Sequence, residues 1–163
     1  MDESEKRKKR VCFTGHRPEK IITPEHTIKD KLKEEIIKAI KDGYCVFISG
    51  MARGVDLWAA EIVLQLRSNG YAIKLICALP YEGFEKKWNN EWQKRYRQVI
   101  SEADFIKCVS PCYSRYCYQI RNEWMVNHSA KIIAVYNGNR GGTQNTLVYA
   151  YKKAISISVI NLT

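Results

Sequence analysis

Residues 44–56 read YCVFISGMARGVD, and this stretch determines the class of fold. Its first six residues are mostly apolar, aromatic or β-branched, and they predict a buried strand over 44–49. Two glycines follow, Gly50 and Gly54, and they predict a tight loop. Apolar residues then recur at helical spacing until Gly70 ends the pattern. A strand, a glycine loop and a helix in this order form the repeating unit of parallel α/β sheets.

The same alternation continues on both sides of this stretch. We predict strands at 11–14, 44–49, 72–79, 103–110, 131–136 and 155–160, with apolar helical faces over 28–40, 59–66, 84–100, 121–129 and 143–154. This order predicts an α/β fold, a Rossmann-like, doubly wound, mostly parallel sheet with helices on both faces. We expect a single domain over 11–163, preceded by a basic flexible tail over 1–10.

The charge of the chain indicates the chemistry of its partner. Lys and Arg number 27 against 17 Asp and Glu, which gives a net charge of +10. Part of the excess lies in the KRKKR run at 6–10, which we expect to be solvated. The rest indicates an anionic partner, either a phosphorylated small molecule or nucleic acid.

The apolar runs of the sequence are short. None approaches the roughly 18 residues needed to span a bilayer. No apolar segment follows the basic residues as in a signal peptide. We therefore expect a cytoplasmic protein without a membrane partner.

The six cysteines indicate packing more than metal binding or disulfides. Four lie inside predicted strands, where we expect reduced, buried thiols: Cys12, Cys45, Cys77 and Cys108. The remaining two follow the fourth strand, and their spacing from Cys108 lacks the tight C-x2-C pair of most zinc sites. We therefore expect no metal.

Three loops that follow predicted strands combine glycine with a hydroxyl group or an arginine. They are 14–18 (TGHRP), 49–56 (SGMARGVD) and 137–143 (NGNRGGT). Glycine lets backbone N–H groups approach a phosphate, a helix N-terminus adds unpaired donors, and arginine adds a bidentate contact. Parallel strands place these loops at one edge of the sheet, where ligands of such folds bind. None of the loops matches the GxGxxG or Walker pattern, which argues against an ordinary dehydrogenase or kinase.

Four motifs in series resemble a known superfamily: TGHRP, SGMARGVD, RNEWM at 121–125 and GGTQNT at 141–146. They are similar to the SLOG superfamily, and most closely to its YpsA-like branch. The superfamily includes the DNA-processing protein A and the Lonely Guy phosphoribohydrolases. The resemblance implies a Rossmann-like domain that binds nucleotides or NAD-derived ligands such as ADP-ribose, and it does not imply one reaction.

The resemblance also assigns the residues of the expected binding site. The phosphate loop would consist of Gly141, Gly142 and Thr143. The first wall would consist of Gly15, His16 and Arg17, and the loop after the second strand of Ser49, Gly50, Arg53, Gly54 and Asp56. The fourth helix would contribute Arg121. The resemblance also places Thr146 in the binding site, one helical turn beyond the phosphate loop and facing the ligand's sugar. Lonely Guy enzymes carry a catalytic glutamate at this position, and a hydroxyl cannot act as an unaided general base at neutral pH. The catalytic residues stay unassigned, with Arg121 and Glu82 as candidates.

Three functions remain open at this stage. The leading interpretation is the binding or sensing of a nucleotide-derived ligand, with no cofactor required for folding or chemistry. The alternatives are a nucleotide N-glycosidase and a single-stranded DNA-binding protein. Homo-oligomerisation is also left open, because Trp88, Trp92 and Tyr96 recur every four residues and suit either a core or a dimer interface.

Overall fold

A computed structural model describes residues 1–162 of the chain. Six helices are present in the described part, α1 to α6: Glu3–Arg7, Glu25–Lys41, Val55–Ser68, Asn90–Glu102, Cys117–Asn127 and Gly142–Lys152. Six strands alternate with them, β1 to β6: Arg10–Gly15, Val46–Ser49, Lys74–Leu79, Phe105–Cys108, Lys131–Tyr136 and Ser156–Asn161. A short 3-10 turn over Pro18–Lys20 follows β1.

The six strands form one sheet in the order β4-β3-β2-β1-β5-β6. Every pairing is parallel, so the predicted α/β class and Rossmann-like winding are confirmed. The chain moves outward from β1 to β4 and then returns to the other side of β1 to form β5. The order therefore reverses between β1 and β5, and such a switch point opens a crevice at the carboxyl ends of the two strands.

Helices cover the two faces of the sheet unequally. On one face, α2, α3 and α4 bury the row that includes Phe13, Phe47 and Leu75. On the other face, α5 and α6 pack against residues such as Cys12 and Ile132. Three helices cover one side and only two cover the other. β4 is an edge strand, and all four of its residues are exposed.

The third long helix begins later than the apolar spacing predicted. It starts at Asn90, because the Asn89 side chain accepts a hydrogen bond from the backbone N–H of Trp92, 3.0 Å away, and caps the first turn. Phe84 and Trp88 lie in turns before this helix and contact Tyr96 edge-on, with ring centroids 5.6 and 5.7 Å apart respectively. These aromatic residues belong to the core, as one of the two interpretations predicted.

Two expectations at the surface differ from the structure. Cys108 is exposed and Cys45 half-buried, because β4 is an edge strand and Cys45 precedes β2 instead of lying within it. Only Cys12 and Cys77 of the four strand cysteines are buried as predicted. In the segment expected to be a tail, Glu3–Arg7 is helical and Arg10 already belongs to β1. Arg10 pairs with Glu3 at 2.5 Å, which joins the short helix to the sheet.

Candidate functional site

A cleft of about 230 Å³ lies beyond the carboxyl ends of β1 and β5, at the switch point. Residues from the exits of β1, β2 and β5 and from α5 form its walls. The lining residues are Thr14, Gly15, His16, Arg17, Lys20, Ala52, Asp56, Tyr118, Arg121, Asn122, Gly142 and Thr143. Seven of these twelve were among the predicted ligand-binding residues, so the three strand-exit loops do meet in one place.

The start of α6 presents free backbone donors to this cleft. Gly141 precedes the helix with a φ of 144°, a conformation that L side chains rarely adopt. The helix begins at Gly142, which is exposed, and no atom lies within 4 Å of where its Cβ would be. The first N–H groups of a helix have no intrahelical acceptor and carry partial positive charge. This end of the cleft suits a phosphate group.

His16 joins the two strands that flank the switch point. Its Nε2 accepts a hydrogen bond from the backbone N–H of Asn137, 3.1 Å away, and its ring stacks on Tyr136 at 5.9 Å between centroids. Burial lowers the pKa of His16, and the positive charge of Lys20 lowers it further. The ring is therefore neutral at pH 7, with its proton on Nδ1. A neutral histidine can donate one hydrogen bond to a ligand oxygen.

The loop after β2 is held in its shape by its own side chains. The Ser49 hydroxyl donates to the Asp56 carbonyl oxygen at 2.8 Å and accepts from the Met51 N–H at 3.1 Å. Met51 has a φ of 63° and Gly54 a φ of 89°, so the backbone turns through left-handed conformations twice. Ser49 is fully buried and does not line the cleft, and its two hydrogen bonds give it a positioning role.

A buried charge pair forms the floor of the cleft. Arg121 on α5 donates hydrogen bonds to the Gly50 carbonyl and, at 2.8 Å, to the Asn122 side chain. Asp56 in the first turn of α3 accepts from the Ala52 N–H at 3.3 Å through one carboxylate oxygen. Its other oxygen, Oδ1, is buried without a partner within residues 1–162.

Burial and mutual attraction shift the pKa values of Asp56 and Arg121 in opposite directions. Burial raises the pKa of Asp56 to about 6, against the pull of Arg121 and of the Ala52 N–H. Burial likewise lowers the pKa of Arg121, against the pull of Asp56. Asp56 is therefore ionised at neutral pH, and the burial of the two charges is a cost to stability.

The electrostatics of the cleft favour an anion. Arg17, Lys20 and Arg121 line it, and Asp56 is the only carboxylate among the lining residues in the described part of the chain. Arg17 and Lys20 are exposed, so their donors are free to meet a ligand. With Asp56 ionised, the lining side chains carry a surplus of two positive charges (three basic and one acidic group).

An aromatic wall closes another side of the cleft. The Tyr118 ring lies 5.9 Å from the guanidinium carbon of Arg121 and 6.2 Å from the ring centroid of Tyr81, to which it is nearly perpendicular. Tyr81 also contacts Tyr113 edge-on at 5.6 Å. Tyr118 therefore contacts a second aromatic ring and forms part of the cleft wall.

Several predicted site residues lie outside the cleft lining. They are Ser49, Gly50, Arg53, Gly54, Gly141, Thr146 and Glu82. Arg53 forms an ion pair with Glu19 at 2.6 Å. The Thr146 hydroxyl donates to the Gly142 carbonyl at 2.8 Å from a buried position, and Glu82 is exposed. Gly50, Gly54 and Gly141 shape the backbone around the cleft without lining it.

Sequence reasoning did not place five lining residues in the site: Thr14, Lys20, Ala52, Tyr118 and Asn122. A signal for two of them existed. Tyr118 lies three residues before Arg121 and therefore shares a face of α5 with it, and Asn122 directly follows Arg121. The others depend on how the β1 and β2 exits fold.

No group of three or more His, Cys, Asp or Glu residues is placed to hold a metal ion in residues 1–162. None of the helices described is long and apolar enough to span a membrane.

The fold is a Rossmann-like domain with a cleft at the switch point of its parallel sheet. The profile of the YspA SLOG family matches residues 11–161, nearly the whole chain. The chain belongs to this family, which confirms the resemblance seen in its motifs.

Two bacterial relatives have names that describe no activity. A UPF0398 protein of Brevibacillus brevis is 33% identical over 131 residues, covering 78% of this chain and 69% of its own. The uncharacterized SPbeta prophage-derived protein YoqJ of Bacillus subtilis is 35% identical over 138 residues, covering 77% of this chain and 81% of its own.

Two solved structures of DNA processing protein A share the fold. The Streptococcus pneumoniae protein superimposes with a TM-score of 0.65 at 15% identity, covering 93% of this chain and 50% of its own. The Helicobacter pylori protein, described for its single-stranded DNA binding mode, gives a TM-score of 0.64 at 18% identity, with 96% and 66% covered. This chain thus spans about half of the pneumococcal protein, and at such identities the likeness concerns the fold alone.

Proposed function

We propose that the protein binds a nucleotide-derived ligand, of the type of ADP-ribose or a nucleoside phosphate, in the cleft at the switch point. One observation supports this most directly. The open N-terminus of α6 at Gly142 and three cationic side chains line the same small cleft. Helix N–H donors and arginines together are the usual partners of phosphate in proteins.

The other end of the ligand has a matching surface. The Tyr118 ring lines the cleft and is braced by Tyr81, so a nucleobase can stack on it while its phosphate meets α6. The neutral His16 and the Asn122 side chain also line the cleft. We assign to these two residues the hydroxyl groups of a ribose.

Binding or sensing fits this arrangement better than hydrolysis. A hydrolase of the Lonely Guy type needs a carboxylate at the glycosidic bond, and Thr146 in that position holds the Gly142 carbonyl. Asp56 is a carboxylate of the cleft, but it faces Arg121 across the floor. We therefore place this protein with ligand-binding domains rather than with phosphoribohydrolases.

A thermal-shift panel tests the proposal. Adenosine, ribose 5-phosphate, AMP, ADP-ribose and NAD would each be added to the full chain. A ligand that binds the folded state raises the melting temperature by mass action. We expect AMP or ADP-ribose to raise it most, ribose 5-phosphate less and adenosine least. No shift with any phosphorylated compound at millimolar concentration would contradict the proposal.

Single-stranded DNA is the second candidate ligand. It is favoured by the net charge of +10 and by the fold shared with a DNA processing protein whose structure is described for single-stranded DNA binding. The cleft of about 230 Å³ suits one nucleotide unit, so a strand would need a further surface.

A further inference from the structure

The amino-terminal side of β4 carries an uncovered strip of the sheet. Ile48, Ile76 and Phe105 are register partners on three adjacent strands and lie on the face that α5 and α6 cover. Coverage falls along this row: Ile48 is fully buried, Ile76 half-buried and Phe105 56% exposed. The helical layer therefore ends before β4, and an aromatic ring stands at its margin.

Two adjoining cavities form a groove along this margin. One has a volume of about 490 Å³ and is lined by Ile48, Ile76 and Phe105 of the sheet, by Trp124 of α5 and by His128, which follows that helix. The other has a volume of about 770 Å³ and continues around the amino ends of β2 and β3. Both are lined by Lys6, Arg10, Ile76 and Phe105, so they form one continuous surface, which we call the β4 groove.

The residues that line the β4 groove carry an excess of positive charge. Its two acidic lining residues are already paired, Glu3 with Arg10 at 2.5 Å and Asp104 with Arg67 at 2.6 Å. Four lysines line it without an ion-pair partner in residues 1–162, namely Lys6, Lys9, Lys74 and Lys107. Lys107 follows Phe105 by two residues on the same strand, so both side chains lie on the same face of the sheet.

A groove with free lysines around an exposed aromatic ring fits a polyanion that carries flat bases. Single-stranded nucleic acids are bound in this way, by a cationic path for the backbone and aromatic rings for the bases. The primary sequence hides this pattern, since its cations come from the N-terminal segment, β3 and β4, and its aromatic ring from β4. We propose that the β4 groove binds single-stranded nucleic acid, independently of the nucleotide cleft at the opposite edge of the sheet.

Fluorescence anisotropy with two labelled probes tests this proposal. One probe is an oligothymidine, and the other is an abasic strand of the same length. We expect the wild-type chain to bind the oligothymidine more tightly than the abasic strand. Phe105→Ala should weaken oligothymidine binding about tenfold, the scale of one lost base–aromatic stack, and leave abasic binding unchanged. Lys107→Ala should weaken both probes and reduce the salt slope by about 1.

Matched variants elsewhere make the result specific. Tyr151 is 79% exposed on α6 and does not line the groove, so Tyr151→Ala and the neighbouring Lys152→Ala should leave both affinities unchanged. The cleft variant Gly142→Asp tests the alternative that the strand binds in the cleft. Equal affinities of the wild type for both probes would overturn the proposal, since they would show a surface that recognises charge alone. Loss of oligothymidine binding in Gly142→Asp, with none in Phe105→Ala, would overturn it by placing the strand in the cleft.

Discussion

The guanidinium group of Arg121 donates a hydrogen bond to the backbone carbonyl of Gly50, across 71 positions of sequence. This contact ties α5 to the loop after β2 on the floor of the cleft. A Cβ at position 50 would lie 2.9 Å from the guanidinium carbon of Arg121 and 2.9 Å from a carboxylate oxygen of Asp56. The buried charge pair therefore depends on the absence of a side chain at Gly50.

Gly50→Ala should disturb both stability and ligand binding. The added methyl group has to displace Arg121 or Asp56 from a closely packed site, which we expect to lower the free energy of unfolding by about 1–3 kcal/mol. Chemical denaturation measures this loss, and calorimetry with AMP or ADP-ribose should show weaker binding. Gly142→Ala is the matched control, because a Cβ there meets nothing within 4 Å. Equal stability of the two variants would show that the floor of the cleft is more tolerant than its geometry indicates.

The free energy of unfolding should depend on pH because Asp56 titrates at a different pH in the folded and unfolded chain. Burial raises its pKa to about 6 from the ordinary value of 3.8, so between these pH values the folded chain holds a proton that the unfolded chain has lost. Ionising Asp56 as the pH rises through this range therefore lowers stability. We expect the free energy of unfolding of the wild type, measured relative to Asp56→Asn, to fall from pH 3.8 to about 6 and to stay constant above it. A difference that instead rises with pH would mean that Arg121 outweighs burial.

Tyr118 should distinguish nucleotides from simple phosphates. If a base stacks on its ring, Tyr118→Leu should weaken binding of AMP by roughly 1–3 kcal/mol and leave ribose 5-phosphate unaffected. Tyr118→Phe keeps the ring and should bind AMP as the wild type does. Tyr113, which is 65% exposed and lies beyond Tyr81, provides a control for general loss of aromatic packing. If Tyr118→Leu weakened the binding of AMP and of ribose 5-phosphate equally, the base would not stack on Tyr118.

Much of the fold was predictable because hydrophobic periodicity follows burial directly. The order of strands and helices, the parallel sheet and the apolar face of α2 agree with the structure, where Ile28, Leu32 and Ile36 are all fully buried. The start of α4 was missed because Trp88 continues the apolar period while Asn89 caps the helix. Periodicity records which residues are apolar, and a cap is a local hydrogen bond that it does not record.

The candidate site was predictable at the level of loops but not of individual contacts. Glycine and arginine after strands marked Gly15, Arg17 and Gly142, which do line the cleft. The same logic included Ser49, and the family resemblance added Thr146. Both hydroxyl groups bond to neighbouring backbone. A hydroxyl suits a phosphate and a nearby carbonyl equally, and only the fold decides between them.

The wild-type protein should release no free base from nucleoside monophosphates. The position of the Lonely Guy glutamate holds Thr146, whose hydroxyl is engaged with the Gly142 carbonyl and cannot act as an acid or base at the glycosidic bond. Chromatography of AMP incubated with the protein for hours measures adenine release. Release by the wild type that disappears in Asp56→Asn would contradict the binding assignment and make Asp56 the catalytic acid.

The central claim is that the N-terminus of α6 holds the phosphate of a nucleotide-derived ligand, and calorimetric titration of Gly142→Asp tests it most directly. Position 142 is exposed, has no neighbour within 4 Å of its Cβ and needs no left-handed backbone, so the variant should keep its fold. Its carboxylate would crowd the backbone donors and repel phosphate. We predict that the wild type binds AMP or ADP-ribose and that Gly142→Asp, with an unchanged melting temperature, shows no measurable heat of binding. Binding of either ligand by Gly142→Asp with wild-type affinity would contradict the claim.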